Sequence, residues 1–163
     1  MIDGVKKRLW IAGLGNVLMR DDGVGAVAAQ RLSQYPPEDA CVSEVGTAIM
    51  SYADLICWAD TIIFIDALQS GKTPGAVSVL AMDELDSQSG RLSAHNLNFF
   101  DAIRLFRPDA PPRVKLVGVE PEIIDYGLHL SAPVAKAIPE VLATVRRTAA
   151  LFASAESTCG KAA

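Results

Sequence analysis

Apolar positions along this chain fall into two alternating patterns. Short uninterrupted runs bounded by glycine, proline or an acid predict strands covered on both faces, and apolar positions three and four apart predict the helices that cover them. The first run, Leu9 to Ala12, ends at Gly13 and Gly15, which allow a sharp turn and a close approach of backbone. Residues 23–35 set Val24, Val27, Ala28, Leu32 and Tyr35 on one helical face, and Pro36-Pro37 stops that helix. Cys41 to Val45 predicts a short strand closed by Gly46-Thr47, and residues 48–59 a helix with Ile49, Tyr52, Ala53 and Ile56 turned inward. Thr61 to Ile65 is almost uniformly apolar and β-branched, as a fully covered strand should be, and Asp66 follows it at once. A loop through Gly71, Pro74 and Gly75 leads to a strand at 76–80, and residues 83–94 are polar and irregular with a short turn. Helical spacing resumes near His95 and runs to Phe106, Pro108, Pro111 and Pro112 form a connector, and Arg113 to Val119 is the last strand. The closing helix spans Ser131 to about Ala153, with Ser131 as N-cap, Pro133 in the first turn and Pro139 as a kink or restart.

Strands and helices alternating in this way predict an α/β fold: a single-domain three-layer sandwich with a mostly parallel twisted sheet of about five strands flanked by helices. The domain is expected over residues 1–155, with a frayed small-residue tail at 156–163. In such folds the working groups gather beyond the carboxyl ends of the strands, near the switch in strand order. That rule selects Asp22 after the first strand, Glu44 and Thr47 at the end of the second, Asp66 at the end of the third, and His95 at a loop-to-helix entrance.

Composition narrows the partners. With 163 residues, half of them hydrophobic and 21% charged, the chain is long enough to bury a core. A net charge of −4 and no basic tract beyond Lys6-Lys7-Arg8 argue against nucleic acid. The apolar stretch that follows is broken by Gly13, Asn16 and the charges at 20–22, so it is neither a signal peptide nor a membrane span. Three cysteines, Cys41, Cys57 and Cys159, are odd in number with no close pair, which predicts buried thiols in a reducing cytoplasm.

Each candidate has an ordinary structural role beside its chemical one. Asp21 and Asp22 precede a helix, where acids serve as N-caps, or one caps while the other faces an anionic cleft. Asp66 can bond the amides of the turn after it, His95 can cap a helix, and His129 reads as a loop residue. Asn16 suits a tight loop because its side chain bonds nearby backbone. Two carboxylates and an imidazole converging at one sheet edge are also a divalent-metal set suited to nickel, zinc, manganese or iron, with coordination positions left open for a substrate.

Gly13-Leu14-Gly15-Asn16, Leu18 and Asp21-Asp22-Gly23-Val24-Gly25 together resemble the opening signature of the NiFe-hydrogenase maturation endopeptidases. The resemblance continues through Gly46-Thr47, Ile65-Asp66-Ala67, His95, Val117-Gly118-Val119-Glu120-Pro121, Leu130-Ser131 and Ala137-Ile138-Pro139, so it runs in order along nearly the whole chain. It implies an endopeptidase that removes the C-terminal extension of a hydrogenase large subunit precursor after nickel insertion. It also implies that Asp22, Asp66 and His95 contact the nickel, which arrives with the substrate, and that either Asp22 or Asp66 serves as catalytic general base. Gly13, Gly15, Asn16, Gly46 and Thr47 would then border the bound substrate strand, and a monomer is expected. Asp22 is one methylene shorter than the Glu of some members, and Glu44-Val45-Gly46-Thr47 stands where the family often has an acid and a Gly pair. The rival is a Rossmann-like nucleotide-binding module, suggested by the Gly-x-Gly turn. Leu18 occupies the third glycine position of that fingerprint, and two acids would face the pyrophosphate.

Overall fold

The computed structural model describes residues 8–86 and 94–154, with side chains for 8–84 and 99–153. Cys159, Lys6-Lys7 and the 156–163 tail lie outside the described residues. Five strands, β1 (Leu9–Leu14), β2 (Ala40–Gly46), β3 (Thr61–Ala67), β4 (Val77–Ala81) and β5 (Arg113–Val119), form one sheet in the order β2-β1-β3-β5-β4. Every pairing is parallel except that of the edge strand β4 with β5. The helices are α1 (Val24–Leu32), α2 (Ala53–Trp58), α3 (Met82–Asp86), α4 (Ala94–Phe106) and α5 (Ala132–Ser154).

Alternation along the strands divides the core. Trp10, Ala12, Leu14, Ile62 and Phe64 face α2 and α4, where Phe64 stacks on Phe99 with ring centroids 4.5 Å apart. Ile11, Ile63, Ile65, Val117 and Val119 face α1 and α5. All seven residues of β3 are buried, as its apolar run predicts, which makes this strand the centre of the three layers. No helix among the described residues is long and apolar enough to cross a membrane.

Several local expectations are corrected. Tyr35 is 77% exposed because α1 ends at Leu32 and the chain tightens into i→i−3 bonds at Gln34 and Tyr35, which breaks the helical period. The 48–59 segment is a 3-10 turn (Ile49–Tyr52) followed by α2, with no side-chain cap on either. Cys57 is exposed rather than buried: α2 turns Ile56 inward and the next residue outward, where the Cys57 Sγ donates to the Phe106 carbonyl. Helix α5 runs unbroken through Pro139, since that position is exposed and water can reach the Ala135 carbonyl that the missing N–H leaves free. Neither Asp21 nor Asp22 caps α1. They belong to a separate 3-10 turn, Arg20–Gly23.

Candidate active site

Strand order reverses between β1 and β3, and the crevice beyond their carboxyl ends is where an open α/β sheet binds its ligands. β1 leaves the sheet through Gly15, whose φ of +100° is a left-handed conformation and whose N–H donates to the Gly46 carbonyl. A Cβ at Gly15 would lie 1.8 Å from the Asp22 carbonyl oxygen and 3.3 Å from Asp66 Oδ1. The missing side chain is therefore what lets the Asp22 turn fold down beside Asp66. Asn16 shapes the loop between them: its Oδ1 accepts the Leu18 N–H at 3.0 Å, and its own N–H donates to Asp22 Oδ2 at 2.8 Å.

Gly13 has a different task. A Cβ there would meet the Gly25 carbonyl at 2.2 Å and Ala29 Cβ at 2.5 Å, and one at Gly25 would meet the Ile65 carbonyl at 2.0 Å. These two glycines let α1 lie directly on the sheet. Since α1 fills the space over Gly13 and the Asp22 turn fills the space over buried Gly15, the rim of the crevice is left to the half-buried Asn16 and Gly46 and the exposed Thr47. Glu44 is exposed on the outermost strand β2.

Asp66 is fully buried near the end of β3. Its Oδ1 accepts the Ala67 N–H at 2.8 Å, the turn bond expected from sequence, while its Oδ2 is buried and has no hydrogen-bond partner among the described residues. Burial, and next to it the charge of Asp22, push the Asp66 carboxyl well above the ordinary carboxylate range, and the single amide only partly opposes them. A buried carboxyl oxygen left without a partner beside a second carboxylate suits an incoming cation or a transferable proton.

Two buried carboxylates at the same edge are fully engaged. Asp21 accepts the N–H groups of Ser131 (2.6 Å), Glu122 (2.9 Å) and Ile123 (2.9 Å). Burial alone would raise its carboxyl, but the amides of Ile123, Ser131 and Glu122 bring it below the usual range. Glu120 accepts from the Ser70 N–H (2.8 Å), the Ser70 hydroxyl (2.6 Å) and the Gly71 N–H (3.2 Å), and its carboxyl is likewise lowered against the effect of burial. Sequence reasoning assigned Asp21 only a helix entrance and quoted Glu120 only within a motif. Their partners lie 49 to 110 residues away, so local spacing held no signal for either clamp.

The side chain of His95 lies outside the described residues, but its backbone opens α4. That helix ends at the amino edge, where Arg107 beyond it donates to the carbonyls of Cys57 and Ala59 ahead of β3. It therefore runs antiparallel to β3. His95 stands one turn before Phe99, and Asp66 two residues after the Phe64 on which Phe99 stacks. Those displacements are both about 5–7 Å and both toward the carboxyl edge. His129 is an exposed loop residue, as expected. Among the described residues, no three His, Cys, Asp or Glu side chains group closely enough to hold a metal. A concavity of about 440 Å³ at the opposite, amino end of the sheet contains none of the predicted site residues. There Arg146 donates to the Tyr35 carbonyl and Arg113 lies 4.9 Å from the Phe152 ring centroid. The nucleotide-binding alternative loses its phosphate site, because buried Asp21 and Asp22 occupy the turn that leads into α1.

Comparison with known proteins bears on family and fold. The family profile described as hydrogenase maturation protease (HycI) matches residues 27–148. The hydrogenase expression/formation protein HupD of Rhizobium leguminosarum bv. viciae is 29% identical over 147 residues, covering 86% of this chain and 73% of that protein. HupM of Azotobacter chroococcum mcd 1 is 31% identical over 147 residues, covering 86% and 70%. Among solved structures, the hydrogenase maturating endopeptidase HybD from Escherichia coli superposes with a TM-score of 0.78 at 29% identity, over 90% of this chain and 93% of that one.

Proposed function

We propose, from the premise that this chain belongs to the hydrogenase maturation protease family, that its crevice removes the C-terminal extension of a hydrogenase large subunit precursor once nickel is in place. The observation that carries this reading is Asp66 Oδ2, buried next to the turn that holds Asp22 and without a hydrogen-bond partner among the described residues. The cost of such an atom is offset when a cation arrives. Asp22, Asp66 and His95 grasp the nickel carried by the substrate, and so sense that insertion is complete. Bound nickel polarises a carbonyl and lowers the pKa of a coordinated water. Asp66, its carboxyl raised by burial and by the neighbouring charge of Asp22, serves as the group that moves a proton. Asn16, Gly46 and Thr47 border the extended substrate segment, while Gly13 and Gly15 act beneath them by admitting α1 and the Asp22 turn. The exposed thiol of Cys57 fits a reducing cytoplasm.

The test is to mix chelator-stripped protein with two precursors, one nickel-loaded and one nickel-free. Cleavage of the loaded form alone is expected. Equal cleavage of the nickel-free form, or a requirement to preload this protein with zinc, would replace the reading with an ordinary metalloprotease. Because two carboxylates and one imidazole make a sparse site, the free protein should hold divalent ions more weakly than closed His/Cys sites do.

A further inference from the structure

We infer that Asp21 is a positioning residue: its buried carboxylate bolts the loop after β5 to the turn that carries Asp22, and so sets Asp22 against Asp66. This rests on the reading above, in which Asp22 and Asp66 perform the chemistry. Asp21 takes no part in that chemistry, yet it is wholly buried and accepts three backbone N–H groups, all from residues 122–131. A carboxylate held by amides in this way makes stronger hydrogen bonds than a neutral acceptor would. The same two segments are joined by three further backbone hydrogen bonds. Arg20 N–H donates to the Gly127 carbonyl at 2.9 Å, Gly127 N–H to the Leu18 carbonyl at 3.0 Å, and Asp21 N–H to the Ile123 carbonyl at 3.2 Å. The first two of these bonds make Met19 and Gly127 an isolated parallel bridge.

The turn has its own reason to need a bolt. Arg20 sits at φ +50°, a left-handed conformation unfavourable for a residue with a side chain, so the surrounding bonds must hold it there. Asp22 is the next residue after the bolted one, its carbonyl lies against Gly15, and its Oδ2 receives the Asn16 N–H. Loosening Asp21 frees the turn to drift, and a misplacement of about 1 Å in a reacting group costs on the order of 100-fold in rate.

Asp21→Asn keeps the size of the side chain but turns an NH₂ toward amide donors. Ser131→Pro removes one of the three donors and leaves Asp21 itself unchanged, so it serves if the first variant folds poorly. Val145→Ala, a buried core truncation in α5 away from the crevice, controls for lost stability. Well below the melting temperatures, Asp21→Asn should lower kcat for nickel-loaded precursor about 10- to 100-fold with KM nearly unchanged. Ser131→Pro should lose several-fold, and Val145→Ala should keep wild-type kcat. Amide hydrogen exchange gives a readout independent of activity. In both rim variants the Asn16 N–H, which reports the position of the Asp22 carboxylate, should lose protection together with Glu122 and Ile123. Wild-type kcat in Asp21→Asn overturns the inference, as does an equal loss in Val145→Ala. If wild-type protein cleaves no precursor, the proposed function fails by itself and exchange alone decides the role of Asp21. Asn16 protection retained while Glu122 and Ile123 lose theirs would confine Asp21 to holding its loop.

Discussion

Asp21 and Asp66 stand at the same end of one sheet, both without exposed surface, and burial pushes both carboxyls upward. They nevertheless end on opposite sides of the ordinary value. Asp21 has three amides to receive its charge and falls below it. Asp66 has one amide, a bare oxygen and the charge of Asp22 nearby, and rises well above it. Burial therefore does not separate a satisfied acid from an unsatisfied one. The number of donors each acid meets does, because a satisfied carboxylate already has its charge stabilised and an unsatisfied one still has a ligand or proton to take.

The largest expected effect comes from removing the unsatisfied charge. Asp66→Asn should lower precursor cleavage about 1,000-fold, within the range lost with a proton-transfer group, while leaving the melting temperature equal to or above that of wild type. Mass spectrometry of the processed subunit and a thermal melt check the two halves. If Asp66→Asn proves as destabilising as Asp21→Asn, the contrast between the two acids collapses. Asp22→Asn and His95→Ala belong with Asp66→Asn, folded but inactive.

The crevice can also be broken from its backbone. Gly15→Ala combines the left-handed φ with a Cβ 1.8 Å from the Asp22 carbonyl, and should cost about 3 kcal/mol in denaturant unfolding as well as activity. Gly71→Ala provides the reference, since Gly71 has φ +80° with nothing within 4 Å of the added Cβ. It should cost only the conformational penalty of about 1 kcal/mol. Equal costs at the two glycines would mean that contact with the Asp22 turn is not what makes Gly15 necessary.

The smallest effect is a pair of opposite pH dependences. Asp21 has a lowered carboxyl in the folded protein, so its contribution is present above the unfolded value near 3.8 and is lost as pH falls through the folded one. Asp66 is raised, so between about 3.8 and its higher folded value the folded protein binds the extra proton, and stability declines as pH rises through that window. Unfolding free energies from pH 3 to 8 should show the decline removed in Asp66→Asn and the low-pH loss diminished in Asp21→Asn. Parallel curves for wild type and both variants would contradict both assignments.

Much of this molecule was determined by local pattern. The apolar run at 61–65, the glycines that end β1, and the prolines that bound the helices were each decided by neighbours in the chain, so strands, helices and the α/β layering were readable in advance. Asp22 and Asp66 were readable as candidates because strand order places the ends of β1 and β3 at one edge. The Asp22 turn can lie beside Asp66 because Gly15 has no side chain, and that glycine was itself readable in the sequence. Tertiary structure alone decided which acid of the Asp21-Asp22 pair is spent on structure. The two are alike in type and adjacent in sequence, but the amides that satisfy Asp21 come from residues more than 100 positions away. It likewise decided that Gly13 serves α1 packing and that Tyr35 and Cys57 face outward, because helix ends and helix-on-sheet distances are set by the partner surface. Hydrophobic period is a property of a segment, whereas the satisfaction of a buried charge is a property of everything that folds around it.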